Sequence, residues 1–362
     1  MLYNKDINTK IIEEETMKLT FRWYGDDDPV TLEQIGQIPQ MSGIVSAVYD
    51  VKPGGVWSEE SIAAIKEKAA QAGLEFEVVE SVPVPEEIKY GGENAAALIE
   101  NYCENVRRLG KAGVKCICYN FMPVFDWLRS ELEHANADGS NSLAYDEATL
   151  MTMNPAAGDL SLPGWDESYT KEGLNKLLEI YKNVDEEKLW ANLEVFLKAV
   201  IPVAEEAGVN MAIHPDDPPW GIFGLPRIMT CEKNYDRFLS IVDSKANGLT
   251  FCTGSLGASA DNDLVKMAAK YADRIHFLHL RNIKRTGERQ FCEVGHPTDC
   301  GSIDIYGIAK ALVDNGFDGY VRPDHGRMIW GETGRYGYGL FDRALGATYI
   351  VGLFEGIEKS KK

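Results

Sequence analysis

A strand-then-helix unit repeated eight times constrains this chain more than any other feature. Short apolar runs occupy Lys18–Tyr24, Gly43–Val48, Leu74–Val79, Val114–Cys118, Asn210–His214, Gly248–Cys252, Arg274–His279 and Tyr320–Val321. Helical patterns follow them. Ser58 caps one that runs to Ala72 and stops at Gly73, Glu93–Ala112 stops at Gly113, and Glu186–Ala207 stops at Gly208. Others lie near Glu232–Val242, Asn262–Tyr271, Asp304–Asn315 and Leu340–Ile357. A polar cap with acids in the first turn and a glycine beyond the last is how such helices begin and end. Alternation of this kind specifies an α/β fold with parallel strands, and eight units argue for a closed (β/α)8 barrel, a TIM barrel, over an open doubly wound sheet. No G-x-G-x-x-G follows a strand, which a dinucleotide-binding sheet would want.

The rhythm breaks from about Pro123 to Asp185, a segment rich in Asn, Asp, Gly, Pro and aromatics. A structureless loop of that length does not suit a compact domain. The expectation is a mostly helical insertion after the fourth strand that caps one end of the barrel and contributes Trp127 and Trp165. A second excursion, Arg281 to Cys300, follows the seventh strand. The polar residues 1–16 are set aside as an N-terminal extension, disordered, a cloning remnant or an alternative start. One barrel domain is expected over 17–362, insertion included.

In such a barrel the functional residues sit where strands end. The fifth to eighth strands end on His214, Cys252, His279 and Asp324, each about one strand–helix unit from the next. Four adjacent strands therefore deliver two imidazoles, a thiolate and a carboxylate to one rim, with no local C-x-x-C needed. That set suits a borderline divalent ion, Zn, Fe or Mn, whereas Mg would want mostly oxygen. A single His or Cys at a strand end is more often packing than ligand; the coincidence of four carries the reading. His276 and His279, three apart in one strand, face opposite sides, so only one can reach the axis, and the terminal His279 is the candidate.

Several further residues are candidates around that rim. His325, beside Asp324, is placed to support the ligand or act as a general acid. Tyr336 and Tyr338 lie in the loop Gly334–Gly339, whose glycines suit a lid. Arg22, Arg281 and Lys284 are cations near strand ends that would clamp a carboxylate. Tyr119 and Asn120 end the fourth strand as hydroxyl partners, and His296 lies on the second excursion.

The formal net charge of −19 repels polyphosphate, so nucleic acid is not an expected partner. No run of about 18 apolar residues offers a membrane span, and no secretory signal pattern opens the chain. Seven scattered cysteines lack disulfide-framework spacing and fit a reducing, cytoplasmic setting.

Phe21-Arg-Trp-Tyr-Gly25, Phe277-Leu-His-Leu-Arg-Asn282, Phe291-Cys-Glu with His296 and Gly301-Ser-Ile-Asp304, and Arg322-Pro-Asp-His-Gly326 resemble the mannonate dehydratase family, as does the closing Gly337-Tyr338 with Arg343 and Gly346. The resemblance runs from Met17 over nearly the whole chain. It implies a xylose-isomerase-like barrel that dehydrates D-mannonate to 2-keto-3-deoxy-D-gluconate with Mn2+ or Fe2+, Zn2+ being the weaker candidate. It also implies His214, Cys252, His279 and Asp324 as ligands and His325 and Tyr338 in catalysis. Elimination needs one base and one acid beside the ion; the favoured order is His325 as acid and Tyr338 as base, with the reverse open. The small-molecule partner is then a sugar acid, and the expected assembly is a homo-oligomer, a dimer. The rivals are a sugar isomerase on the same barrel, disfavoured by a Cys ligand, a metal-dependent nucleic-acid phosphodiesterase, disfavoured by the charge, and a sugar-acid-binding protein with a structural metal.

Overall fold

A computed structural model of the chain describes residues 17–153 and 170–361; the N-terminal extension and Trp165 lie outside them. In chain order the strands are β1 (Lys18–Arg22), β2 (Gly43–Ser46), β3 (Glu75–Glu80), β4 (Cys116–Tyr119), β5 (Glu131–Ala135), β6 (Asn141–Asp146), β7 (Asn210–Ile213), β8 (Asn247–Cys252), β9 (Ile275–His279), β10 (Ile283–Gly287), β11 (Gln290–Glu293) and β12 (Tyr320–Arg322). Eight close into a parallel barrel in the order β1-β12-β9-β8-β7-β4-β3-β2. These are the eight runs expected from the alternation.

Two apolar layers hold the barrel. Val45, Val78, Cys116, Cys118, Ala212 and Phe277 fill its interior as a small separate cluster. The larger core lies between strands and helices. The helix Glu186–Ala207 shows why it docks there. Asp185 accepts from the Lys188 N–H at 2.8 Å, and Gly208 ends the helix at φ +66. Leu189, Leu193, Phe196, Leu197, Val200 and Ala204 recur at helical spacing and are buried. Each large side chain buried this way contributes about 1.5–3 kcal/mol.

The insertion departs from expectation. Helices do form at Glu147–Thr152 and Lys171–Tyr181, but the segment opens with a hairpin, β5–β6. The second excursion is also a hairpin, β10–β11, and the two join as a four-stranded antiparallel sheet, β10-β11-β6-β5. Phe291 of β11 stacks on Tyr145 of β6, ring centroids 5.3 Å apart and 12° from coplanar. The alternating exposed and half-buried Glu131-Leu-Glu-His-Ala135 has no β-branched residue to mark a strand. The turn signal was present in Asp138-Gly139, where Gly139 adopts φ +83. This sheet stands beside the barrel mouth and shapes the site.

Candidate active site

The C-terminal mouth of the barrel opens on a cavity of about 720 Å³. Strand periodicity explains which side chains reach it. Ala212 and Phe277 point into the barrel, so His214 and His279, two residues further on, do so as well. Cys252 lies two beyond Thr250, whose hydroxyl meets Cys118 Sγ in the interior at 3.2 Å. Asp324 stands in the same relation to Arg322. His276 faces the other way, where its Nε2 contacts the Lys245 carbonyl at 2.7 Å.

His214, Cys252 and His279 each offer a ligand atom within 4.8 Å of the others. Asp324 Oδ2 is 3.6 Å from Cys252 Sγ and 3.9 Å from His279 Nδ1. His214 Nδ1 lies 2.6 Å from the Pro215 carbonyl, so it donates there and Nε2 is the nitrogen left for the ligand group. Burial alone would push the Cys252 thiol up. The Arg281 guanidinium and the two imidazoles prevail over it and over Asp324, holding the thiol well below its ordinary value. Burial opposes charge on His214 too, but the contact with Cys252 pushes it up to about 9, so with no ion bound the ring holds a second proton, which a bound ion would displace. An anionic sulfur, a carboxylate and an imidazole with a fixed tautomer are the donor set a divalent ion needs, so these residues fit one.

Glu80, Cys118 and His279 form a second compact group. Its gap is filled from the protein. Arg322 Nη2 donates to Glu80 Oε1 at 3.0 Å and Arg322 Nε to His279 Nε2 at 3.1 Å. Burial pushes the Cys118 thiol well above its usual value. A neutral thiol beside a guanidinium reads as an ion-paired cluster, not a second cation site.

Next to the ligands, His325 Nε2 is 2.8 Å from the Tyr338 hydroxyl, and Nδ1 is 3.2 Å from Glu293 Oε1. Trp127 of the insertion packs on the His325 ring at 5.0 Å, and Tyr24 meets Tyr338 edge-on at 5.0 Å. Burial pushes the Tyr338 phenol well above its ordinary value. Gly337 brings that phenol in at φ +76, with its Cα so close to Leu143 that a Cβ would come within 2.6 Å.

The remaining expected residues divide. Arg22, Asn120 and Tyr336 line the cavity, and Arg22 Nη1 is buried without a hydrogen-bond partner among the described residues. Tyr119 also borders it, yet its ring packs on Phe196 of the helix layer at 5.6 Å. Arg281 does not line the cavity. It is buried behind the ligands, donating through Nε to Asp324 Oδ2 at 2.7 Å and through Nη1 to Glu293 Oε1 at 2.6 Å. Lys284 is exposed on β10, outside the cavity, because β10 belongs to the lateral sheet and not to a barrel strand. His296 is buried against Gly346, away from the cavity lining.

Sequence reasoning missed Glu80, Arg129, Asp217, Glu293 and the role of Arg322. Glu80 ends β3, and the strand-end rule applied to that strand would have found it. Arg129 pairs with Asp217 through both terminal nitrogens at 2.9 and 3.1 Å and with Glu293 at 2.8 Å, all buried. These partners are distant in sequence, and no local pattern marks them.

Comparison with known proteins places the chain in a family. A family model described as D-mannonate dehydratase (UxuA) matches residues 17–362. A mannonate dehydratase of Oceanobacillus iheyensis is 55% identical over 342 residues, spanning 94% of this chain and 98% of that protein. The solved mannonate dehydratase from Streptococcus suis serotype 2 superposes with a TM-score of 0.90 at 50% identity, covering 95% of this chain and 96% of that one. A xylose isomerase-like TIM barrel protein from Mycobacterium smegmatis superposes with a TM-score of 0.54 at 13% identity, over 90% of this chain and 87% of that one, a likeness of fold alone.

Proposed function

Because this chain belongs to the D-mannonate dehydratase family, it is a hydro-lyase acting on D-mannonate, and we propose that His214, Cys252, His279 and Asp324 hold a divalent ion on which that reaction depends. The observation that carries the proposal is the convergence of those four side chains at the barrel mouth beside the hydrogen-bonded His325–Tyr338 pair. When bound, the ion supplies Lewis acidity that stabilises negative charge developing on the substrate, a contribution of several kcal/mol. The mixed nitrogen, sulfur and oxygen set suits a borderline divalent ion, Zn2+, Fe2+ or Mn2+; the family resemblance, not the donor set, puts Mn2+ or Fe2+ ahead of Zn2+.

The chain's own residues supply the proton transfers. Loss of water from D-mannonate breaks the C2–H and C3–O bonds and gives an enol that becomes 2-keto-3-deoxy-D-gluconate. A base takes the C2 proton and an acid protonates the departing 3-hydroxyl. Burial keeps the Tyr338 phenol protonated, which supports it as the donor. Glu293 on the far side of His325 supports that imidazole as the acceptor, the reverse of the order favoured from the sequence. Arg22, with an unpartnered Nη1 in the cavity, and Asn120 are the proposed substrate contacts; Arg281 holds Asp324 and Glu293 from behind the site, and neither His296 nor Lys284 is proposed as a contact.

Among the described residues no helix is long and apolar enough to cross a membrane. The proposed setting is the cytoplasm, supported by free cysteines throughout the described chain. The proposed assembly is a dimer, supported by the exposed apolar patch of Trp330, Phe341 and Leu345.

Replacing one ligand tests the centre. Cys252→Ser is expected to lose bound metal and at least about 100-fold of kcat with D-mannonate, more than a supporting residue would cost. Anaerobic reloading of the parent should restore turnover with Mn2+ or Fe2+ above Zn2+. A variant with parental metal content and rate refutes the ligand set.

A further inference from the structure

The site holds a buried carboxylate that neither binds the proposed ion nor lines the cavity. Glu293 ends β11 in the lateral sheet and is 1% exposed. Its Oε1 accepts from Arg129 Nη2 at 2.8 Å and from Arg281 Nη1 at 2.6 Å, and its Oε2 accepts from Arg281 Nη1 at 2.8 Å. Both guanidiniums are themselves fixed on Asp217, Arg129 by two hydrogen bonds and Arg281 through Nη2 at 2.8 Å. The carboxylate therefore has little freedom, and its Oε1 stands 3.2 Å from His325 Nδ1. An imidazole whose Nδ1 faces an anion places its proton there, so the opposite nitrogen presents a lone pair. That nitrogen meets the Tyr338 hydroxyl at 2.8 Å. Trp127, two residues before Arg129, closes over the same ring.

We propose that Glu293, fixed by Arg129 and Arg281, is a positioning residue that sets the ring orientation and tautomer of His325 toward Tyr338, and that the lateral sheet exists to deliver it. This rests on the acid–base assignment of His325 and Tyr338 above. It gives the insertion a role in the chemistry: Arg129 comes from the start of its hairpin, and β6 pairs with the strand that ends in Glu293. No atom of Glu293 needs to touch substrate.

The test is a double-mutant cycle on the metal-loaded enzyme. Glu293→Gln is expected to lower kcat about 10–100-fold, the range for a residue supporting a functional group, with KM for D-mannonate within about twofold and metal content unchanged. In a His325→Asn background the same substitution should cost no more than about twofold, because its effect passes through that ring. Glu293→Asp retains the charge between the two arginines but withdraws the carboxylate from Nδ1; it should fold like the parent and still lose kcat. It keeps the inference testable if the glutamine variant fails to fold. Equal losses in both backgrounds, a loss traced to departed metal, or an aspartate variant with parental kcat each overturn the inference while leaving the acid–base pair intact. A His325→Asn enzyme with parental kcat overturns the pair and this inference together.

Discussion

His276 and His279 lie three residues apart in β9 and live in opposite environments. His279 faces the ligand cluster. His276 points out of the barrel, donating from Nε2 to the Lys245 carbonyl, and a Cβ on the neighbouring Gly248 would come within 2.2 Å of its ring. Burial lowers its pKa to about 4 from an ordinary 6.5. The native state then binds fewer protons than the unfolded chain between those values. Stability from keeping this ring neutral is full above 6.5 and lost as pH falls toward 4. His276→Gln keeps an N–H near the same carbonyl and removes the titration. From about pH 7 to about pH 5 its urea midpoint should fall less than the parent's. Parallel declines in the two proteins would count against a half-buried imidazole held neutral. The opposite facing of the two histidines was legible from strand periodicity alone, as were the four strand-end candidates. Glu293, Asp217 and Arg129 were not, because a buried ion-pair network between residues 217, 293 and 129 leaves no local spacing to read. Lys284 was misassigned for a related reason: proximity to His279 in sequence says nothing once the chain turns into a second sheet.

The barrel strands and most helices announce themselves through period and caps, and the lateral sheet does not. Its strands come from two excursions separated by the fifth, sixth and seventh barrel strands. Pairing of β6 with β11 is a tertiary event, visible in sequence only as an Asp-Gly turn and a few aromatics. What holds it is the stack of Phe291 on Tyr145, with Arg129 over the Phe291 ring at 5.1 Å and Trp220 donating to the Tyr145 hydroxyl at 3.1 Å. Phe291→Ala removes the centre of that stack. A buried Phe→Ala change costs about 3–5 kcal/mol. Here the loss should fall on docking of the lateral sheet ahead of the barrel. Hydrogen exchange should rise in β5, β6, β10 and β11, with the barrel strands still protected, and kcat should drop along with it. Uniform loosening of barrel and sheet would show that the sheet is no separate element. Loosened exchange with parental kcat would show that its docking does not reach the chemistry.

At the scale of the whole molecule, a chain of net charge −19 repels its own copies everywhere except where charge is absent. The C-terminal helix Phe341–Lys359 offers such a place. Its exposed positions from Phe341 through Leu345 and Thr348 to Gly352 carry no charge. Beside them Trp330 is 74% exposed, its ring 5.6 Å from Phe341, on a backbone held at φ +55. A non-glycine residue there costs about 1–3 kcal/mol. The proposed occupant is a second copy, since a two-fold axis would set two uncharged faces together and keep the acidic surfaces apart. Trp330 also follows His325 on the segment that leads to Tyr338, so the contact would brace the loop carrying that phenol. Sedimentation of the metal-loaded protein should give a dimer whose dissociation constant falls as salt rises and screens the repulsion. Trp330→Glu with Leu345→Glu puts like charges face to face and should yield monomers with the barrel intact, and a kcat that falls because the Tyr338 loop loses its brace. A parent that sediments as a monomer, or a double variant that remains a dimer, removes this face as the interface.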